Sequence, residues 1–96
     1  MYFLKLKSNK KGQHYRRKVQ KVIDGDTFTV RKRVAGSQYI RIAGIDCPEK
    51  GQRGFGTAKS RLSRLIGKTV TLNPVGKSYG RTVADVSYKR KKVRPC

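Results

Sequence analysis

Acidic residues are scarce in this sequence, which has five Asp and Glu against 25 Lys and Arg among its 96 residues. The formal net charge of +20 makes the chain repel itself strongly unless it binds a polyanion. Four of the five acids nevertheless fall in two short strings, VIDGDTFTV at residues 22–30 and GIDCPE at residues 44–49. Acids that served solubility alone would be scattered, so this clustering indicates a site.

Long apolar runs are also missing, since none approaches the ~18–20 residues of a transmembrane helix. An anionic membrane surface is the competing polyanion, but no amphipathic basic helix stands out at either end of the sequence. We therefore expect no membrane association and take nucleic acid as the partner. Because each neutralised phosphate releases counterions, the affinity of the chain for nucleic acid should be strongly salt-dependent.

Cysteine is rare too, with Cys47 and Cys96 as its two positions. Two cysteines are too few for a disulfide scaffold, and no Cys or His at ligand spacing indicates zinc. A disulfide between them fits an oxidising compartment, and the sequence leaves their redox state open. The N-terminus lacks the apolar core of a signal peptide. We expect a cytoplasmic protein as the sequence stands, or a secreted or periplasmic one if a signal was removed.

The length allows one domain with a modest core. We expect a basic N-terminal arm at residues 1–18, a folded domain at 19–88 and a basic tail at 89–96 that lacks a core face. Alternating apolar residues predict strands on both sides of the Asp-Gly-Asp turn and at residues 38–45, 68–72 and 81–88. FGTAKSRLSRLIG predicts a helix at 55–67. Its apolar stripe comprises Phe55, Ala58, Leu62, Leu65 and Ile66.

Three strands, a helix and two strands predict a mainly β fold with one helix. A small five-stranded barrel with the helix between its third and fourth strands is the arrangement of the OB-fold. This is an expectation about architecture, and the function has to be argued from the site.

The acids and two arginines supply the groups that a nuclease requires. Asp26, Asp46 and Glu49 are hard oxygen ligands or proton acceptors of the kind that hold Ca²⁺ or Mg²⁺. Arg41 and Arg81 can clamp phosphate oxygens and stabilise charge on the phosphorus centre. Each part alone has a plainer explanation, since an Asp-Gly-Asp string is usually a turn and a surface arginine is ordinary in so basic a chain.

Four motifs in order make the interpretation specific. VIDGDTFTV, IRIAGIDCPE, FGTAKSRL and YGRTVA lie within roughly residues 19–88. Their order and spacing closely resemble those of the staphylococcal nuclease (thermonuclease) family. The resemblance implies the family's five-stranded OB barrel and a Ca²⁺-dependent endonuclease that hydrolyses DNA and RNA to 3′-phosphate ends. Mg²⁺ and Mn²⁺ are alternative cofactors.

By this resemblance, Asp26 and Asp46 match the family's calcium-binding carboxylates. Cys47 occupies the position whose main-chain carbonyl completes the metal site, so its side chain is free to vary. Asp24 and Thr27 are expected to support these ligands without touching the metal.

Glu49 matches the residue usually assigned as general base, and Arg41 and Arg81 match the arginines that bind phosphate and stabilise the transition state. Tyr79 matches a tyrosine that lines the nucleotide pocket. Its neighbour Ser78 stands where the best-known member has a lysine, and Lys77 is expected to replace that lysine in part.

Two features depart from the family pattern. The loop KGQRG after Glu49 is shorter than in the best-known member, and the sequence stops before the C-terminal helices that family members usually have. A homodimer that covers the apolar surface left by those helices is one expectation.

Two other functions stay open. A non-catalytic nucleic-acid-binding OB domain would use Tyr39, Tyr79 and the basic arms. Such a binder gains nothing from Asp26, Asp46 and Glu49 facing phosphates, which favours the enzyme. A small interaction protein derived from the nuclease fold is the second alternative.

Overall fold

A computed structural model of the chain describes residues 14–96. Most of the predicted N-terminal arm therefore lies outside the described residues. Within the described range the predicted order of elements is seen, with one short strand added at the end. The strands are β1 (Tyr15–Asp24), β2 (Thr27–Val34), β3 (Ser37–Ile42), β4 (Thr69–Ser78), β5 (Arg81–Tyr88) and β6 (Lys91–Lys92), and the helix α1 (Phe55–Ser63) lies between β3 and β4.

The first five strands form a closed barrel. The sheet order is β3-β2-β1-β4-β5-β6, and each neighbouring pair is antiparallel. β3 also pairs in parallel with β5, from Ile40 opposite Thr82 to Ile42 opposite Ala84, and this pairing closes the ring. The predicted OB-fold-like barrel with one helix is thus confirmed.

Side chains from alternate strand positions fill the barrel interior. In β3, Ile40 and Ile42 are buried while Arg41 between them is half-buried, as the alternation predicts. Removing such apolar surface from water, at about 25 cal/mol per Å², is the main stabilising term. The core cluster comprises Val19, Phe28, Val30, Val34, Ile40, Ile42, Leu62, Val70, Leu72, Ala84 and Val86.

α1 begins directly after Gly54, whose φ of 90° lies in the left-handed region that glycine adopts without strain. Ala58 and Leu62 lie about one turn apart and are the buried residues of the helix. α1 has nine residues, and no helix within residues 14–96 is long and apolar enough to cross a membrane.

The predicted helix and its apolar stripe run too far toward the C-terminus. α1 ends at Ser63, so the helical period does not extend to Ile66. Ile66 forms an isolated parallel bridge with Val19 and is 47% exposed. Leu65, which lies in the turn between Ser63 and Ile66, still packs against the core.

α1 lies directly over the β1–β2 turn. A Cβ atom on Gly25 would lie 2.6 Å from the Cβ of Ala58 and 3.2 Å from the Cβ of Cys47. Two Cβ atoms do not approach to 2.6 Å in folded proteins unless one of them is displaced. Glycine alone therefore fits at position 25. This approach holds the helix, the turn and the loop that contains Cys47 in one packed unit.

β1 begins before the predicted domain boundary at residue 19. Residues 15–18 pair with residues 69–72 of β4. Tyr15 packs against the core and Arg17 donates a hydrogen bond to the carbonyl of Lys32. This end of the predicted arm is therefore part of the barrel.

The tail is also folded, although the sequence predicts that it lacks a core face. β6 pairs with the end of β5, and the Val93 amide donates to the Val86 carbonyl at 2.9 Å. Val93 packs against the core and Pro95 is buried. The short β5–β6 hairpin places one apolar residue and one proline against the barrel, and both help to hold the tail there.

Candidate functional site

One rim of the barrel brings the two acidic strings and both arginines together. Thr27 at the start of β2 pairs with Arg41 in β3. Arg41 pairs in parallel with Val83, two residues after Arg81. The β1–β2 turn, the end of β3 and the β4–β5 turn therefore meet at one edge.

An open cleft, which we call the rim cleft, lies at this edge. It brings together the four acids of the two acidic strings, both arginines and Tyr79. Its lining comprises Asp24, Asp26, Arg41, Asp46, Cys47, Glu49, Lys50, Ser78, Tyr79 and Arg81.

The β1–β2 turn presents Asp26 to the cleft and holds it from behind. Asp26 is 8% exposed, and its main-chain carbonyl accepts a hydrogen bond from the Ile42 amide at 2.8 Å. The Thr27 hydroxyl donates to Asp26 Oδ1 at 3.1 Å. Asp24 is half-buried and pairs with Thr27 across the turn. Thr27 lies behind the cleft surface, where it supports the carboxylate.

Arg41 lies between two carboxylates. Its Nη2 atom is 3.4 Å from Asp26 Oδ2 and 3.9 Å from Asp46 Oδ1. The guanidinium also donates to the carbonyls of Ile42 at 2.9 Å and Ile45 at 3.1 Å. The two carbonyls therefore orient one planar cation, which supplies counter-charge to both acids.

Arg81 approaches the same group from the β4–β5 turn. Its Nη1 atom donates to the Thr27 hydroxyl at 3.3 Å, and its Nε atom donates to the Ser78 carbonyl at 3.2 Å. Because Thr27 in turn donates to Asp26, a continuous polar chain joins Arg81 to Asp26 and Arg41. Both arginines thus connect to one buried carboxylate, Arg41 directly and Arg81 through the Thr27 hydroxyl.

Glu49 lies in the loop before α1, with its side chain exposed at the cleft. Its amide donates to Gln52 Oε1 at 2.7 Å, and the Gln52 amide donates to the Glu49 carbonyl at 2.8 Å. This reciprocal pair fixes the main chain at Glu49 and leaves the carboxylate to face the cleft. The sequence analysis missed Gln52, although its spacing of three residues from Glu49 is the signal of such a turn.

Tyr79 projects from the tip of the β4–β5 hairpin. Its side chain is 97% exposed, and Tyr79 and Gly80 have φ values of 49° and 78° in a two-residue turn. A left-handed conformation is unfavourable for tyrosine, and such turns favour Asn-Gly. Tyr79 therefore has an unfavourable backbone conformation, and its exposed ring lies at the edge of the cleft.

Lys77 is the one predicted substrate-binding residue that the structure does not bring to the rim cleft. Its Nζ atom lies 3.5 Å from where a Cβ atom on Gly36 would be, at the β2–β3 turn. The alternation along β4 directs neighbouring side chains to opposite faces, and Ser78 has the position that faces the cleft. Lys50, which the sequence analysis did not single out, provides a cation in the lining instead.

The donors at the cleft suit a hard, oxygen-preferring cation. Residues 14–96 contain no group of three or more His, Cys, Asp or Glu side chains close enough to hold a metal ion. Asp26 and Asp46 are two carboxylates that share the counter-charge of Arg41. Carboxylates and main-chain carbonyls are the kind of oxygen donor that Ca²⁺ and Mg²⁺ prefer.

We call the segment between β3 and α1, residues 43–54, the cleft loop. A disulfide joins it to the tail, linking Cys47 to Cys96 with their Cα atoms 5.7 Å apart. This pairing is the alternative that the sequence left open. Cys47 is buried beside Gly25, and Arg61 donates to the carbonyl of Pro95 at 3.3 Å. Because its sulfur is bonded to Cys96, Cys47 has no free thiol.

Comparison with known proteins finds a curated protein of similar sequence. No protein-family model matches the chain. A protein of Haemophilus influenzae named as an uncharacterized endonuclease is 40% identical over 78 residues, which is 79% of this chain and 44% of that protein. The chain thus spans less than half the length of this curated relative.

Proposed function

We propose that the chain is a metal-dependent nuclease domain of the staphylococcal nuclease type, which hydrolyses phosphodiester bonds in DNA and also in RNA and leaves 3′-phosphate ends. The observation that carries this proposal is the meeting of three acids and two arginines at one rim of an OB-fold-like barrel. The similarity to a protein named as an endonuclease supports it. The resemblance of the four sequence motifs supports the narrower assignment to that family.

In the proposed reaction, Arg41 and Arg81 bind the non-bridging oxygens of the scissile phosphate. They face the cleft from two sides and are held by main-chain carbonyls and the Thr27 hydroxyl. Such orientation allows them to stabilise the negative charge that develops on the phosphate without reorganising. Glu49 accepts a proton from the attacking water, because its carboxylate is exposed at the cleft on a fixed main chain. The water oxygen bonds to phosphorus, the bond from phosphorus to the 5′-oxygen breaks, and the 5′-oxygen takes a proton from solvent, which leaves the phosphate on the 3′ end.

Asp26, Asp46 and the carbonyl of Cys47 would hold Ca²⁺, with Mg²⁺ or Mn²⁺ as alternatives. When bound, the cation supplies Lewis-acid polarisation of the phosphate and lowers the cost of forming hydroxide. The cation would then supply counter-charge to both carboxylates, so that Arg41, still held by the carbonyls of Ile42 and Ile45, is available to phosphate. Asp24 and Thr27 hold the β1–β2 turn and the Asp26 carboxylate in place.

Substrate contacts outside the scissile group come from the cleft edge. Tyr79 offers an exposed ring on which a base or sugar can stack. Lys50 adds a cation in the lining, and Lys77 would reach phosphate only after its side chain turns away from Gly36. The predicted homodimer stays a prediction, which sedimentation velocity of the purified chain tests.

The disulfide bears on where the protein works. Disulfides persist in secreted and periplasmic proteins and are reduced in most cytosolic ones. We therefore propose an oxidising compartment, the second of the two locations that the sequence left open. Counting free thiols in the protein isolated from its native cells tests this proposal, with none expected at Cys47 and Cys96.

The nuclease proposal is tested by incubating the purified chain with single-stranded DNA, duplex DNA and RNA, with Ca²⁺, Mg²⁺ or Mn²⁺ and with EDTA. Ca²⁺-dependent cleavage is expected. Glu49→Gln should lower its rate by roughly 10²–10⁴-fold through loss of the proton acceptor. Arg81→Ala should lower it by roughly 10²–10³-fold through loss of charge stabilisation.

Asp85→Asn provides a matched control, because Asp85 lies outside the cleft and pairs with Lys92 at 3.7 Å. At saturating substrate it should cleave at the wild-type rate, because its pair with Lys92 affects substrate binding and not the rim cleft. Binding of nucleic acid without cleavage in any of the three metal ions would instead favour the non-catalytic OB domain, for which the exposed rings of Tyr39 and Tyr79 provide stacking surfaces.

A further inference from the structure

A second concave surface lies away from the rim cleft, where α1 faces the β5–β6 hairpin and the tail. We call it the basic groove, and its volume is about 520 Å³. β5 runs from Arg81 at the rim cleft to Tyr88 at this groove. Seven residue steps at ~3.3 Å place the two sites roughly 23 Å apart along the strand.

The basic groove is lined by cations from three parts of the chain, and none of its ten lining residues is acidic. Asp85, the sole acid of the sequence outside the two acidic strings, pairs with one of these cations, Lys92, at 3.7 Å. The other cations retain their charge for a ligand. The six cationic lining residues are Arg61, Arg64, Lys89, Lys91, Lys92 and Arg94.

The β5–β6 hairpin beside the groove has two cationic residues in its turn, where the left-handed backbone conformation disfavours them. Lys89 and Arg90 have φ values of 50° and 68°, in a two-residue turn that favours Asn-Gly. A left-handed conformation is unfavourable for both residues. Lys89 lines the groove despite the local backbone cost, and such a cost is typical of a functional surface.

The floor of the groove is apolar, so the site is more than a charged surface. Leu65, Tyr88, Val93 and Pro95 line it, and Lys89 Nζ lies 5.4 Å from the centroid of the Tyr88 ring. A nucleic acid strand presents phosphates on one side and sugars and bases on the other, which matches a cationic edge over an apolar floor.

Charge decides among the occupants. The N-terminal residues 1–13 carry several lysines and no acid, and a second copy of this chain has the same charge of +20. Both are repelled by the groove. A planar anionic membrane reaches the exposed cations but not a concave floor.

We propose that the basic groove binds the phosphate backbone of a nucleic acid strand at a point remote from the rim cleft. The inference rests on the proposed function in taking nucleic acid as the polyanion. Since each strand advances ~3.4 Å per nucleotide in a duplex, a substrate that occupies both sites spans roughly seven nucleotides.

The test is binding of a fluorescent single-stranded 20-nucleotide DNA in EDTA, followed by anisotropy over a range of salt concentrations. Arg64→Gln/Lys91→Gln/Arg94→Gln should weaken binding on the order of tenfold and lower the salt slope by about 2, because each lost phosphate contact contributes ~0.7. The charge-preserving Arg64→Lys/Arg94→Lys should bind as the wild type does.

Arg31→Gln/Lys32→Gln/Arg33→Gln is the matched control, since these three exposed cations lie on β2 and do not line the groove. An equal fall of the slope in this control, or an unchanged slope in the groove variant, would overturn the proposal. So would loss of binding to phosphatidylserine vesicles with DNA binding retained, which would assign the groove to membranes.

Circular dichroism checks that each variant is folded. If the triple variant does not fold, Arg64→Gln against Arg31→Gln gives the same comparison with an expected slope change of about 0.7. Hydrolysis plays no part in these measurements. Absence of cleavage in metal ions would therefore overturn the proposed function and leave the groove result standing.

Discussion

Thr27 connects the two sides of the rim cleft through one hydroxyl group. The hydroxyl donates to Asp26 and accepts from Arg81, so one buried side chain sets the distance between a carboxylate and a guanidinium. The single O–H of Thr27 is used by Asp26, and one of its lone pairs accepts from Arg81. At the scale of single residues, the geometry of the site depends on this threonine as much as on the charged groups.

We expect Thr27→Val to lower kcat/KM roughly tenfold to a hundredfold, because a small displacement of Arg81 is costly in the transition state. It should also lower the free energy of unfolding by about 1 kcal/mol through the lost hydrogen bonds. Thr29→Val is the matched control, since the Thr29 hydroxyl donates to Gln20 Oε1 at 3.1 Å and does not line the cleft. Steady-state kinetics and urea unfolding of both variants check the expectation. Equal losses of kcat/KM in the two would contradict it.

Much of this site could be predicted residue by residue, because its charged members lie in short motifs. Asp46 and Glu49 are three residues apart, and the structure brings both to the cleft. The roles of these residues stay predictions. The position of Lys77 depended on which face of β4 it occupies, and a bend in that strand between Pro74 and Gly76 changes the register there. The motif does not encode such a register shift.

At the scale of elements, the contact between α1 and the β1–β2 turn sets the position of the acids. Gly25 lies against Ala58 and Cys47, so the helix, the turn and the cleft loop share one packing contact. α1 has no side-chain cap at its N-terminus, and its buried residues Ala58 and Leu62 therefore hold it on the barrel.

We expect Gly25→Ala to lower the free energy of unfolding by about 1–3 kcal/mol, because the added methyl group overpacks against Ala58. Gly56→Ala is the control. Its Cβ meets nothing within 4 Å, and the change should raise stability by up to about 1 kcal/mol through helix propensity. Chemical denaturation of both variants checks the signs.

The double variant Gly25→Ala/Ala58→Gly tests the cause. Removing the opposing methyl group relieves the overpacking, so the double variant should be more stable than Gly25→Ala alone despite a second glycine in α1. Additive losses would show that the strain at position 25 does not come from the helix.

At the scale of the whole molecule, the disulfide links the cleft loop to the C-terminal tail. The bridge between Cys47 and Cys96 closes a loop with a sequence separation of 49 residues, which includes α1, β4 and β5. In the chain-entropy description such a closure stabilises the fold by roughly 4 kcal/mol. This is a large share of the ~5–15 kcal/mol typical of a small domain.

We expect Cys47→Ala/Cys96→Ala to lower the free energy of unfolding by roughly 4 kcal/mol in urea titrations. Dithiothreitol should shift the wild-type midpoint in the same direction and leave the double variant unchanged. An unshifted wild-type midpoint, after a thiol count has established reduction, would contradict the expectation. The same samples report cleavage, which should fall on reduction because the loop with Asp46 and Glu49 loses its link to the tail.

Local patterns along the chain account for the strands, the helix and the residues of the cleft. Alternating apolar residues specify the strands, the spacing of Ala58 and Leu62 specifies the helix, and the short acidic strings mark the residues of the cleft. These signals lie within a few residues of one another, because side-chain direction repeats with the period of each element.

The tertiary structure alone decided the contacts between residues far apart in the chain. The bond from Arg81 to Thr27 spans 54 residues, and the approach of Ala58 to Gly25 depends on how the helix crosses the barrel. The tail, which has little apolar content, folds back because β5 offers it a partner edge and Cys47 lies within reach of Cys96. Barrel closure fixes these distances, and no local pattern encodes them.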